Sequence, residues 1–160
     1  MAENYIVING KRAELTEEQL KQLGIEVPKA NPFAKVKEGE WYYSMLTTGE
    51  VTKFKSVGFD IEDALHNVAN YCTDKEMMEQ RALHETLNRL LWCYSMCHKT
   101  KNDSDKKYAI RRYKDKFDAS WDFKVYTFIG EVTFDTYEIA QNAIKEIVEP
   151  FMKAHPEFKW

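Results

Sequence analysis

The sequence predicts an α+β fold, in which antiparallel strands precede helices. Two observations indicate it. Short runs of β-branched and aromatic residues come in pairs with turn residues between them, and two longer segments carry apolar residues at helical spacing behind capping residues. We expect an N-terminal β-hairpin and a short helix, followed by two βββα-like halves with antiparallel sheets and two long helices. With 160 residues, these units fit in one compact domain.

The first unit, residues 1–30, is predicted as a hairpin followed by a helix. Asn9 and Gly10 form the strongest two-residue signal for a hairpin turn, and they separate two short strand runs. Thr16 and Gln19 then form a capping box at the start of a two-turn helix. Because so short a helix is marginal alone, we expect it to dock on the rest of the chain.

The first βββα-like half, residues 31–98, is predicted from strand runs that lead into the longest helix. Thr73 and Glu76 form a capping box at the start of this helix. The predicted elements are strands at 41–45, 51–54 and 67–72, a loop at 56–66 and a helix at 73–98. The apolar face of the helix is predicted to comprise Leu83, Leu87, Leu90, Leu91 and Tyr94.

The second half, residues 107–160, follows a polar linker and repeats the order of the first. Asp135 and Glu138 have the same three-residue spacing as the earlier capping box, and they lie 62 positions further along the chain. Pro150 lies within the final helix and predicts a kink there, because it lacks a backbone N–H. The predicted elements are strands at 107–113, 117–123 and within 125–134, and a helix at 136–153.

Composition and charge exclude several classes of protein. The formal net charge of −3 disfavours a protein that binds nucleic acid over its whole surface, because such binding needs many cationic contacts. No apolar run approaches the roughly 18 residues of a membrane span, and the first residues lack the layout of a signal peptide. We therefore expect a cytoplasmic protein with no membrane partner.

The metal-binding signal is weak. Cys93, Cys97 and His98 are ligand types that zinc prefers, but a structural zinc site needs four ligands and usually two such pairs. The third cysteine, Cys72, lies apart, and an odd number of cysteines does not make a disulfide framework. We expect free thiols, no metal and no cofactor.

Catalytic motifs are also missing. His84, Glu85 and Asn88 resemble the helical zinc-protease layout, but asparagine stands where that layout has its second histidine. We expect a solvated helix flank there, with Glu85 and Arg89 forming an i,i+4 ion pair. Nucleophile elbows and phosphate-cradling glycine loops are absent from the sequence as well. The sequence thus predicts no catalytic residues and a protein that is not an enzyme.

Six segments spread over most of the chain carry a resemblance: 6–23, 31–33, 41–43, 69–76, 83–92 and 148–158. They are similar to an uncharacterised family of small proteins encoded by phages and prophages of Clostridia-like Firmicutes. The resemblance implies an origin in a phage or an integrated element, and it carries no site residues. Small phage accessory proteins of this kind often act against host defences, so this context favours an anti-defence role.

A basic and aromatic cluster is the most informative functional feature. Between positions 98 and 116 the chain has eight lysine or arginine residues against three aspartates. Aromatic faces beside guanidinium groups suit a ligand that combines a base with phosphate. The candidate ligand-binding residues are Lys107, Tyr108, Arg111, Arg112 and Tyr113. The competing interpretation is a solvated hairpin whose charges keep an edge strand from aggregating.

Three functions remain open from the sequence. The first is a non-enzymatic phage protein that counters bacterial immunity by capturing a nucleotide-derived signal molecule. The second is an inhibitor that docks on a host defence protein, such as a CRISPR nuclease, through acidic faces. The third, a DNA-binding module, is opposed by the net charge. Aromatic side chains left on the outer face of a sheet would serve as an interaction surface or a dimer interface.

Overall fold

The computed structural model describes residues 5–8, 11–23, 31–101, 106–114, 116–123 and 131–160. These ranges contain helices and antiparallel strands, which confirms the predicted α+β class. The strands are β1 (Tyr5–Ile8), β2 (Lys11–Glu14), β3 (Trp41–Met45), β4 (Val51–Lys55), β5 (Lys106–Tyr113), β6 (Lys116–Phe123) and β7 (Thr133–Phe134). The helices are α1 (Glu17–Gln22), α2 (Asp60–Asn67), α3 (Lys75–Cys97), α4 (Tyr137–Ala143) and α5 (Glu149–Ala154). Among the described helices, none is long and apolar enough to cross a membrane.

The N-terminal unit forms as the sequence predicts. Strands β1 and β2 pair in an antiparallel hairpin, and the predicted turn at Asn9 and Gly10 lies outside the described residues. At the start of α1, the Gln19 side chain accepts a hydrogen bond from the Thr16 N–H at 2.9 Å, and the Thr16 hydroxyl accepts one from the Gln19 N–H at 3.3 Å. The capping box is therefore confirmed.

Two further antiparallel sheets follow. Strands β3 and β4 pair so that Tyr42 lies opposite Phe54. Strands β5, β6 and β7 form a three-stranded sheet with β5 in the centre. In that sheet Ile110 lies opposite Ala119 on β6. Both predicted hairpins are thus present, and β5 has a partner on each side.

The first half departs from the predicted βββα order. Residues 67–72 do not form a strand; their contribution to the sheet is a single antiparallel bridge between Tyr43 and Cys72. The expected loop at 56–66 instead contains α2. Acidic residues fill the first turn of α2, where they interact favourably with the helix dipole: Asp60, Glu62 and Asp63.

Glu62 also fixes the loop that leads into α2. Its side chain is buried, and its carboxylate accepts hydrogen bonds at 2.7 Å from the Val57 N–H and from the Ser56 hydroxyl. These bonds hold the pKa of Glu62 below its ordinary value. A buried carboxylate so bonded can order a segment that has little apolar periodicity.

The N-cap of both predicted long helices lies one residue later than predicted. The Asp74 carboxylate, and not Thr73, caps α3 by accepting the Met77 N–H at 3.0 Å. The Thr136 hydroxyl, and not Asp135, caps α4 by accepting the Ile139 N–H at 3.2 Å. The two residues predicted as caps instead contact residues that are distant in the sequence. Local spacing does not reveal such contacts.

The main core lies between the three-stranded sheet and the helices α3, α4 and α5. Leu87 and Leu91 of α3 are buried there, but Leu90 is 42% exposed, so its predicted place on the apolar face is wrong. The final helix predicted at 136–153 is divided into α4 and α5 by a π-helical turn, Ile144–Val148, which ends two residues before Pro150. Pro150 then lies in the first turn of α5, where a missing N–H is tolerated.

Candidate functional site

A cavity of about 380 Å³ opens between the middle of α3 and the three-stranded sheet. Its volume falls within the roughly 300–1,000 Å³ typical of small-molecule sites. The lining residues come from α3, β5, the start of the β7 segment and the last residues of the chain. They are His84, Glu85, Leu87, Asn88, Leu91, Ile110, Glu131, Val132, Phe134, Phe158 and Trp160.

Aromatic rings form one wall of this cavity. Phe158 is buried, and its ring meets the His84 ring edge-on with 4.6 Å between centroids. Trp160 lies beside it, with 6.4 Å between the two centroids, and is 38% exposed. The C-terminal segment is held against α3 by the Gln80 side chain, which accepts the Lys159 N–H at 2.8 Å. The wall is therefore an apolar surface on which a planar ring can stack.

The two carboxylates of the cavity are each paired with arginine. Glu85 binds Arg81 on one side, at 3.0 Å, and Arg89 on the other, at 3.1 Å, which confirms the predicted Glu85–Arg89 pair. Glu131 forms an ion pair with Arg111 across the sheet, and its side chain is 13% exposed. Three guanidinium groups thus neutralise the two carboxylates that line the cavity.

Arg111 and Arg112 point to opposite faces of β5, as strand alternation requires. Arg111 lies on the face away from Ile110 and is engaged by Glu131. Arg112 shares the helix-side face with Ile110, and its guanidinium carbon lies 5.9 Å from the centre of the Phe117 ring. Phe117 in turn meets the ring of Trp160 at 4.7 Å. Arg112 is therefore connected to the cavity wall through the rings of Phe117 and Trp160, although its own side chain does not line the cavity.

Lys107 is part of a mostly buried ion pair. Its ammonium group lies 2.6 Å from the Asp135 carboxylate, and the two side chains are only 16% and 10% exposed. Asp135 also accepts the Thr100 N–H at 2.7 Å. Burial raises the pKa of Asp135, but the hydrogen bonds from Lys107 and Thr100 outweigh it and hold that pKa below its ordinary value. Lys107 thus joins β5 to the segment before α4.

The two tyrosines of the predicted cluster lie apart. Tyr108 packs against the main core and meets the ring of Tyr137 edge-on, with 6.1 Å between centroids. Tyr113 is 75% exposed at the end of the hairpin, where the Lys114 ammonium lies 5.6 Å from its ring centre. The structure therefore distributes the five predicted residues over both faces of the sheet. Arg112 is the one whose ring contacts lead to the cavity.

Sequence reasoning did not identify the cavity itself. Its wall depends on the chain turning back from α5 so that Phe158 and Trp160 meet α3, and no local pattern reports that contact. The signal that could have indicated it is the spacing of His84 and Asn88, which lie four residues apart on one helix face. Both residues are exposed, as the predicted solvated flank requires, and both also line the cavity.

A second cleft of about 590 Å³ lies between the start of α3 and the C-terminal segment. Its lining includes Glu76, Glu79 and Glu157, and its lysine, Lys159, is paired with Glu76 at 2.7 Å. An excess of carboxylates repels a phosphate-bearing ligand. This cleft is larger than the first cavity but less suited to the predicted ligand.

We expect zinc to be substoichiometric and chelation to leave the melting temperature unchanged. Cys93 and Cys97 are exposed thiols on α3, and the described part of the chain holds no group of three or more metal-binding side chains. A structural zinc needs four ligands. Elemental analysis and thermal denaturation with and without a chelator measure this; one zinc per chain that is lost in Cys97→Ser contradicts it.

Comparison of the chain with protein-family models, with curated proteins and with solved structures finds no match.

Proposed function

We propose that this chain is a non-enzymatic binding protein that captures a nucleotide-derived signal molecule in the cavity beside α3. The observation that carries the proposal is the combination of an aromatic cavity wall with the guanidinium group of Arg112, which is connected to that wall through the Phe117 ring. A base would stack against Phe158 and Trp160, and its phosphate would meet the guanidinium group of Arg112.

The charges around the cavity support binding more than catalysis. Both carboxylate oxygens of Glu85 already accept hydrogen bonds from arginines on the same helix, and Glu131 is engaged by Arg111. A general acid or base needs a carboxylate or imidazole placed to exchange a proton with the ligand. Carboxylates neutralised by arginine are better suited to fixing those arginines in place.

The biological setting of the proposal comes from the resemblance to phage and prophage proteins. In that setting, the molecule captured is a signal that a bacterial host makes to activate its defence, and capture removes the signal from solution. This role needs tight binding in the bacterial cytoplasm and no chemistry.

The ligand can be sought directly in the purified protein. We expect a small molecule that absorbs near 260 nm to be released on denaturation, and the stripped protein to melt at a higher temperature when that molecule is added back. Mass spectrometry identifies the compound. Protein that releases no such compound and gains no stability from nucleotides contradicts signal capture.

Arg112→Ala is expected to weaken nucleotide binding by about ten- to a hundredfold, since a charge-assisted hydrogen bond to phosphate contributes roughly 1.5–3 kcal/mol. The matched control is Lys116→Ala, which removes one positive charge from an exposed position of the same hairpin that does not line the cavity. We expect the nucleotide affinity of this control to stay within about twofold of the wild-type value, because substitutions at independent sites affect each other little. Isothermal titration calorimetry measures the nucleotide affinity of both variants.

A double arginine variant separates signal capture from the inhibitor alternative. If Arg111→Ala combined with Arg112→Ala stays folded and keeps full activity in a phage-defence assay, signal capture fails. An inhibitor that docks on a host defence protein then takes its place, and that inhibitor should form a stable complex with its target. A DNA-binding module would instead lose affinity steeply as salt rises.

A further inference from the structure

The polar side chains of the cavity differ in whether they form hydrogen bonds or ion pairs with other residues of the chain. The two carboxylates are engaged by arginines, whereas the Asn88 side-chain amide makes no hydrogen bond to any described part of the chain. His84 meets the Phe158 ring, but its ring nitrogens have no hydrogen-bond partner within the described residues. Asn88 is exposed, so its amide is a solvent-accessible donor and acceptor at the rim of an apolar cavity.

We infer that Asn88 selects adenine as the base held in this cavity. A side-chain amide presents one donor and one acceptor side by side in either of its orientations. This pair is complementary to the adenine edge formed by the N6 amino group and N7, where asparagine makes two hydrogen bonds at once. The inference rests on the proposed function and names the ligand class of the same cavity: an adenine nucleotide.

The position of Asn88 fits this role. It lies one helical turn after His84 and next to the buried Leu87, so the apolar interior and the amide belong to one stretch of α3. Purines that carry a carbonyl at position 6 present two acceptors on the same edge, and an amide can satisfy only one of them. A volume of about 380 Å³ suits one nucleoside unit, so a ligand with two bases would extend outside the cavity.

The test compares adenosine monophosphate with inosine monophosphate, which differ in the group at position 6 and in the proton that inosine carries at N1. We expect the wild type to bind the adenine nucleotide about ten- to a hundredfold more tightly, the range of one bidentate amide–base contact. In Asn88→Leu, which keeps the side-chain size, that preference should fall to about unity. In Asn142→Leu, an exposed asparagine on α4, it should stay as in the wild type.

The outcomes separate this inference from the function on which it rests. Equal binding of the two nucleotides by the wild type, or a preference that Asn88→Leu retains, overturns the role of Asn88; signal capture still stands if Arg112→Ala weakens both. If neither nucleotide binds to the wild type, both the inference and the capture of nucleotides fail together. Isothermal titration of the full chain provides all of these affinities.

Discussion

Leu87→Ala should lower the free energy of unfolding by about 2–5 kcal/mol, the range for truncating a buried leucine that leaves a void. Leu87 is 3% exposed and lies in the main core with Ile110 and Phe134. It also lines the candidate cavity. Because the cavity already lies beside this residue, few neighbouring side chains can move in to fill the void. We therefore do not expect relaxation of the core to restore the lost stability. Urea denaturation monitored by circular dichroism measures the change.

The matched control for this prediction is Leu90→Ala, on the same helix. Leu90 is 42% exposed, and surface substitutions of this kind usually change stability by no more than about 0.5 kcal/mol. The pair therefore tests which face of α3 is buried. Equal effects of the two substitutions contradict the packing described above.

Leu90 also illustrates how far the sequence could predict the fold. Apolar spacing correctly identified the long helix, but residues 87, 90 and 91 all fit a broad stripe, and only the partner surface decides which are buried. Hairpins were predicted well because their pairing is local. Helix α2 was not, since it depends on the buried Glu62 carboxylate, whose partners are not apolar.

The candidate site was harder to predict than the fold, for a related reason. The basic cluster is a property of the sequence, yet its members lie on opposite faces of β5 and bind different carboxylates. Lys107 meets a partner 28 residues away, and Gln80 meets the C-terminal segment 79 residues away. Contacts between residues this far apart in the sequence produce no periodic pattern in it. Composition therefore predicts a class of ligand, but it does not predict which side chains line the cavity.

Lys107→Met is expected to destabilise the protein by about 3 kcal/mol, near the lower end of the cost of breaking a buried ion pair. The reason is that Asp135 would keep a charge with 10% exposure but lose its ammonium partner, while its hydrogen bonds from Thr100 remain. Lys116→Met is the matched control, because Lys116 is exposed on the adjacent strand. Urea denaturation at about pH 7 measures both variants.

Removing both charges of this pair distinguishes a structural role of Lys107 from a ligand-binding one. In the double variant Lys107→Met with Asp135→Asn, no buried charge is left unpaired, so we expect most of the lost stability to return. Nucleotide affinity should also stay near the wild-type value. If Lys107→Met leaves stability unchanged but weakens nucleotide binding, Lys107 belongs to the binding site as the sequence predicted.

The same pair predicts a specific dependence on pH. Because the pKa of Asp135 is lower in the folded protein than its ordinary value of 3.8, the ionised carboxylate stabilises the fold. That contribution is complete above the unfolded pKa and is lost as pH falls through the folded pKa. The stability gap between the wild type and Asp135→Asn should therefore narrow between about pH 5 and about pH 2. A gap that is constant across this range, measured by urea denaturation at each pH, would show that the Asp135 charge does not stabilise the fold.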